Sequence, residues 1–458
     1  MQWSYDLLSR AQQVLFERLA VFAGPFDLAA VEAVADDVDQ DAVDTDQLLG
    51  DLVERSMVTV ESGPFGRRFR LLETLRQFAF EQLAAHGDSE VVSGRHARWC
   101  RDGVAHIGGL LTGHGEVEGV ARLAELWPNL RAAVDWACTS GDPELADALV
   151  RPFAAEVDLR RQAEIGDWAE RILDLTSPQD EAAVVFWLLW AGHRHAQAGD
   201  HAAYEALVRR HGHGDHPVVR FNTAYLSEVG EDSLASSPAA VAWLGEHGED
   251  LAADLIEMSG VASSLMTLRR FAELDALAAT MAERHRLHGP PTLRYFALGM
   301  QGYAAQYQGR HTDAARFFTA AEGTELPAGT YRVIQTVTAR MAFQQGDRLR
   351  AYRILRDNID VLLDTDYTDV TRMVAVEFIT MTAAIDRLAD AAHVLTYLDT
   401  TGDYGTLARD HLVADAVRRI DADPDLADDQ GRKLDAHGAL VLMREALDEL
   451  TADPQTIR

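Results

Sequence analysis

LGMQGYAAQYQGRHTDAARFF, Leu298–Phe318, decides the fold. Apolar and small residues recur at helical spacing on both sides of Gln308-Gly309-Arg310, so the stretch reads as two amphipathic helices joined by a tight turn. Gly299 and Ala314 let the helices approach, while Tyr303 and Phe318 fill the gap towards a next hairpin. The punctuation recurs. Arg269-Arg270 precedes Leu274 and Leu277, Gln345-Gly346-Asp347 precedes Ala351, Tyr352 and Leu355, and Asp386-Arg387 precedes Ala391, Ala392 and Leu395. Turns starting at 269, 309, 346 and 386 are spaced by 40, 37 and 40 residues. An earlier turn, Gly199-Asp200, lies 70 residues before Arg269 and leaves room for one more repeat. A hairpin cannot bury its apolar face alone, so at least three must stack into a superhelix. The alternative is a non-repetitive bundle of Ala-rich helices.

The repeat is slightly longer than the about 34 residues of a tetratricopeptide unit, whose pattern the 298–318 stretch nearly matches. The chain around it has 458 residues, room for about three domains, and 47% hydrophobic residues, enough for a sizeable core. Lys+Arg number 42 against 73 Asp+Glu, a net charge of −31, which disfavours nonspecific binding to nucleic acid or anionic membranes. Cys100 and Cys138 make no disulfide framework and no CxxC pair, and read as buried thiols. MQWSYDLLSR shows no secretory pattern, and the apolar run from Ala182 to Gly192 is short of the ~20 residues of a membrane span. A cytoplasmic location is expected.

The first ninety residues follow a different pattern. Ser9 and Gln12 form a capping box, after which Val14, Leu15, Leu19 and Phe22 share one face up to Gly24-Pro25. Asp27 caps a second helix carrying Val31 and Val34. The acidic ADDVDQDAVDTD leads to a third helix with Leu48, Leu49, Leu52 and Val53. Ser56–Val60 reads as a strand, Ser62–Gly66 as a turn and Arg67–Leu71 as the returning strand. Three helices and a hairpin predict a winged helix over residues 1–88. From Leu72 onward helical periodicity dominates, predicting a helical connector with the first hairpins over 89–180 and the repeat arm over 181–458. The fold class expected is mainly α: an N-terminal winged helix with a small β-hairpin, then a tetratricopeptide-like superhelix.

WSYDLLS (Trp3–Ser9) and LFERLAVFAG (Leu15–Gly24) resemble the opening of the winged helix in the bacterial STAND signal-transduction ATPases, in the branch that often ends in a LuxR-type DNA-binding domain. FRLLETLRQFAFEQL (Phe69–Leu83) resembles its last strand and following helix, and WPNLRAAVDWA (Trp127–Ala137) the stretch leading into the helical repeats. GRKLDAHGALVLMREAL (Gly431–Leu447) resembles the segment closing the repeats. The family's P-loop domain precedes its winged helix, yet this sequence has no GxxxxGK[ST], and its single lysine is Lys433. The resemblance therefore implies the C-terminal part only, without the nucleotide-binding and LuxR-type domains. In the related nucleotide-switch proteins a Met-His-Asp motif contacts the nucleotide. It falls on Leu71, Leu72 and Glu73 here, so the histidine's hydrogen bond is lost while Glu73 keeps a carboxylate.

Other candidate residues carry bland readings beside sharp ones. The third helix holds Asp44, Asp46, Asp51 and Glu54 against Arg55, a poor surface for phosphate. The wing offers Arg67, Arg68 and Arg70, for phosphate or for an acidic neighbouring domain. His211, His213, Asp215 and His216 could ligate zinc, but two glycines make their loop a polar turn by preference. His193 and His195 point to different helix faces, and the stripe around Trp187 and Trp190 reads as repeat core. No GxSxG nucleophile or paired carboxylates emerge, so no enzyme activity, metal or cofactor is expected. The expected role is a regulatory and interaction module. The arm would sense a protein, peptide or small inducer, and the winged helix would relay this to a nucleotide-binding ATPase domain in cis or in trans. Neither direct DNA binding nor a membrane partner is expected. The rival readings are a stand-alone helical-repeat scaffold and a DNA-binding winged-helix regulator.

Overall fold

The computed structural model describes residues 2–35, 45–160, 163–197, 200–226, 230–330, 332, 334–365, 370–401, 405, 408–423, 426 and 434–452. Two compact units divide the chain: Met1–Ala154 with Asp167–Trp187, and Ala155–Gly166 with Leu188–Arg458. The fold is mainly helical, with a winged helix at the N-terminus, one small antiparallel sheet and a repeat-like series of helix pairs.

In the first unit, α1 (Arg10–Arg18) starts at the capping box. The Ser9 hydroxyl accepts from the Gln12 N–H, and the Gln12 side chain accepts from the Ser9 N–H. A 3₁₀ turn, Leu19–Val21, ends the helix before Gly24-Pro25. Asp27 accepts from the Ala30 N–H at 2.9 Å to open α2 (Leu28–Ala35). Then α3 (Thr45–Glu54) buries Leu48, Leu49 and Leu52. Strand β1 (Thr59–Gly63) begins three residues later than the apolar run suggests. Ser56 (φ 57°) and Met57 close α3 instead, their N–H groups donating to Val53 and Leu52 O, while Met57 and Val58 are buried. Strand β2 (Gly66–Arg70) returns in register, Thr59 opposite Arg70. Phe26 forms a bridge with Phe69 and stacks on Phe22 at 4.5 Å.

The unit continues with α4 (Glu73–His86), α5 (Ser89–Leu111), α6 (Glu116–Ser140) and α7 (Pro143–Val150). At α6, two resemblance motifs meet. Asn129, wholly buried in α6, accepts from the Gly24 N–H at 3.0 Å and donates to Pro25 O at 2.9 Å. Trp127 stacks on Trp168 of α8 (Ala163–Leu175) at 5.1 Å, with Phe153 edge-on to both.

Paired helices follow. They are α9 (Glu181–Gln197) with α10 (His201–His211), α11 (Pro217–Leu226) with α12 (Gly230–Glu246), and α13 (Asp250–Thr267, with a π turn at Ile256–Val261) with α14 (Phe271–His288). Next come α15 (Pro291–Tyr307) with α16 (His311–Glu322), α17 (Gln335–Gln344) with α18 (Arg348–Thr365), and α19 (Thr371–Ala384) with α20 (Leu388–Leu398). Helices α21 (Ala414–Asp421) and α22 (Ala436–Ala452) close the series, α22 packing on α18, α19 and α20. The α11–α12 pair fills the room left between Gly199-Asp200 and Arg269. Gly199 and Lys433 lie outside the described residues, but Asp200 accepts from the Ala203 N–H and caps α10.

All four turns share one backbone solution. Arg269, Gly309, Gly346 and Asp386 have φ of 59°, 74°, 86° and 69°. In each, the following residue's N–H reaches back five residues, to Leu265, Ala305, Ala342 and Thr382 O at 2.8–3.0 Å. That is the Schellman closure, which satisfies carbonyls left open at a helix end. Tight approach also explains Gly302, where a Cβ would stand 2.4 Å from the Phe318 ring. Phe318 meets Tyr303 edge-on at 5.6 Å, both buried.

Candidate functional site

Helix α3 occupies the recognition position of the winged helix. Its outward face consists of Asp46, Gln47, Gly50 and Glu54, with Arg55 following. Asp51 accepts from Gln12 Nε2 at 2.8 Å, and Asp44 lies outside the described residues. The described part of this face is anionic and would oppose phosphate.

The wing arginines divide. Arg67 and Arg70 are exposed. Arg68 lies against α6, ion-paired with Glu125 and 3.6 Å from Asp27. At the hairpin tip the Arg122 guanidinium sits 4.2 Å over the Phe65 ring. Arg68 thus joins the wing to an acidic neighbour. Leu71 is buried and Leu72, before α4, is exposed. Glu73 takes a bidentate contact from Arg76 at 2.7 and 3.0 Å, which holds its carboxyl below the usual range.

The histidine loop is organised by packing. His213 has a left-handed backbone (φ 63°), and its carbonyl accepts from the His216 N–H. His216 Nδ1 accepts from the Val218 N–H at 3.3 Å, its ring edge-on to Trp243 at 4.7 Å. His211 ends α10. Among the described residues no group of three His, Cys, Asp or Glu is placed to hold a metal ion.

The first helices of the pairs carry buried and half-buried polar groups, of which composition and spacing singled out Tyr303 and His193 but not Thr336, Arg340 or Glu377. No residue of α15 is exposed, and α19 exposes only its last residue, Ala384. Arg340 of α17 donates to Glu377 of α19 through two nitrogens, and Tyr303 of α15 lies 3.2 Å from Thr336 of α17. In the second unit, Arg160 pairs with Glu156 at 2.6–2.7 Å and donates to Thr292 at 3.1 Å, all three buried. Asp158 lies 3.3 Å from His193 Nδ1. Trp190, His193, Phe221, Tyr225, Ile256 and Ser259 line a small cavity among α9, α11 and α13. The signals for these groups were charges inside apolar runs, which sequence alone does not pair. Among the described residues no helix is long and apolar enough to cross a membrane.

Residues 8–84 match the winged helix-turn-helix domain family. A Mycobacterium tuberculosis protein named as a "Putative HTH-type transcriptional regulator" is 39% identical over 144 residues, 31% of this chain and 16% of its own length. An uncharacterized protein of the same organism is 39% identical over 99 residues, 21% of this chain and 25% of its own. The chain thus spans a quarter or less of either relative. The crystal structure of a STAND protein with a tetratricopeptide repeat sensor, from Pyrococcus horikoshii, aligns with 98% of this chain and 66% of its own, with TM-score 0.52 and 15% identity. That likeness is one of fold. The chain therefore carries a winged helix-turn-helix domain, is homologous to proteins named as transcriptional regulators, and shares the fold of a STAND protein.

Proposed function

We propose that the chain is a non-enzymatic, cytoplasmic regulatory module of a STAND-type transcriptional regulator of the LuxR-ending branch. The repeat arm senses a protein, peptide or small inducer. The winged helix relays that state to a nucleotide-binding domain, in cis or in trans. A ligand with different affinities for two arrangements of the module shifts their populations, and no catalytic residue is needed for this. The observation that carries the reading is an anionic α3 in a winged helix followed by paired helices in one chain. The fold neighbour, described as a STAND protein with a tetratricopeptide repeat sensor, supports it.

A photo-reactive side chain at exposed Leu72 tests the relay in cells. Cross-links to a P-loop domain are expected, and cross-links to DNA alone would overturn the reading. A DNA-contacting regulator is the second reading, favoured by exposed Arg67 and Arg70 and by the name that the mycobacterial relative carries. Anisotropy titration with random-sequence duplex at about 50 mM salt separates the two, since phosphate contacts would give steeply salt-dependent binding. No binding is expected.

A further inference from the structure

Helices α13 and α14 enclose an acid–base pair. Asp254 of α13 and His285 of α14 are both buried, with His285 Nε2 3.5 Å from Asp254 Oδ2. The other Asp254 oxygen accepts from Arg284 Nη1, which also donates to Glu257 at 3.2 Å.

Chemistry fixes the hydrogen on one imidazole nitrogen. His285 Nδ1 lies 2.8 Å from Gly289 O, and a carbonyl can only accept, so Nδ1 carries a hydrogen. Nε2 makes no hydrogen bond and looks onto the carboxylate. With no proton between them, a lone pair and a negative charge would face each other away from water, which is costly. One proton removes that conflict whichever atom carries it. Imidazolium beside carboxylate and carboxylic acid beside neutral imidazole are two forms of the same singly protonated pair. Burial pushes the Asp254 carboxyl above its usual range, in keeping with a retained proton.

The surrounding charges are arranged elsewhere. Besides His285, the groups acting on Asp254 are Arg284 and, on its own helix, Asp250. Arg286 of α14 is tied to Glu283, and Arg294, the sole charge on α15, acts on Glu283 as well. Of the other helices against α13, α12 carries Glu231, Asp232 and Glu246, α11 carries Arg220, and the end of α9 carries His193, Arg194 and His195. Among the described residues none of these ion-pairs with Asp254 or His285.

We propose that Asp254 and His285 share one titratable proton that clamps α13 to α14, so that this joint of the arm loosens as the pH rises. The π turn starts two residues after Asp254, and Gly289 leads into α15, so the clamp ties that turn to the next pair. The unfolded chain releases its histidine proton near pH 6.5, whereas the folded pair keeps one. The contribution is therefore complete below about pH 6.5 and is lost as the pH rises through the pair's own titration. This inference goes beyond the relay proposed above and does not depend on it.

The test compares urea denaturation of the full chain and of Asp254→Asn between about pH 6 and 9. Asparagine still accepts from Arg284, and its amide donates to a neutral Nε2, so the joint closes without a titratable proton. Relative to the variant, the wild-type second unit's unfolding constant should rise about tenfold per pH unit above about pH 6.5, the slope of one proton. His285→Gln, whose amide donates to the carboxylate, serves where the first variant does not fold, with the same difference expected. Parallel pH profiles for the wild-type chain and the folded variant would overturn the proposal.

Discussion

Asn129 holds Gly24 from 105 residues away, accepting its N–H and returning a hydrogen bond to the next carbonyl, Pro25 O. A Cβ on Gly24 would come within 2.9 Å of Pro128 Cβ, so the Trp-Pro-Asn and Gly-Pro motifs fit as one joint. The winged helix and α6 are thereby held together inside the first unit.

Asn129→Ala leaves a buried donor and a buried acceptor without partners. Each costs about 1–3 kcal/mol, so a loss of about 2–6 kcal/mol is expected in the first unit's urea transition. An unchanged midpoint would show that the joint contributes nothing.

His96, beside Phe22 and Trp99 and hydrogen-bonded to Asn129, is wholly buried, and burial pushes its imidazole down to about 4. The folded state thus holds it neutral while the unfolded chain protonates it near 6.5. Its contribution is present above about pH 6.5 and is lost as the pH falls towards 4, about 3 kcal/mol over the window. His96→Leu should flatten the stability profile between about pH 6.5 and 4. An equally steep fall in that variant would assign the acid sensitivity elsewhere.

Two glycines in one hairpin should respond differently. Gly302→Ala drives a methyl into Phe318 and should cost about 1–3 kcal/mol by overpacking. Gly309→Ala meets no neighbour but must hold φ near 74°, at about 1 kcal/mol. Thermal denaturation ranks the two, and a larger loss at Gly309 would mean that turn conformation outweighs packing.

Glu377→Ala strands Arg340 in the interior and should cost about 3–5 kcal/mol. Replacing both partners, Arg340→Met with Glu377→Leu, should cost far less, because no unpaired charge remains. A double variant as unstable as the single one, in urea denaturation, would show that the pair contributes net stability.

Much of this was legible in the sequence. The Ser9–Gln12 cap, the Asp27 cap and all four turn positions follow from local chemistry, since a few adjacent residues determine each. The α11–α12 pair was not recognised, because Pro238 interrupts α12 and no Gly-Asp signal stands in the described part of that pair. Asn129 belonged to a recognised motif, but its role depends on a partner 105 residues distant. The same holds for His193 with Asp158 and Glu377 with Arg340. The wing arginines looked equivalent in sequence, and only Arg68 has Glu125 within reach.

The shared backbone at Gly309 and Gly346 makes these positions interchangeable seams. A cut after either leaves a helix end with the same handedness and the same reach-back bond, to Ala305 or Ala342. Joining Gly309 directly to Asp347 would therefore shorten the array by one module of 37 residues without asking any junction for a new shape. The length of the array can thus change in whole steps, by duplication or excision of a cassette.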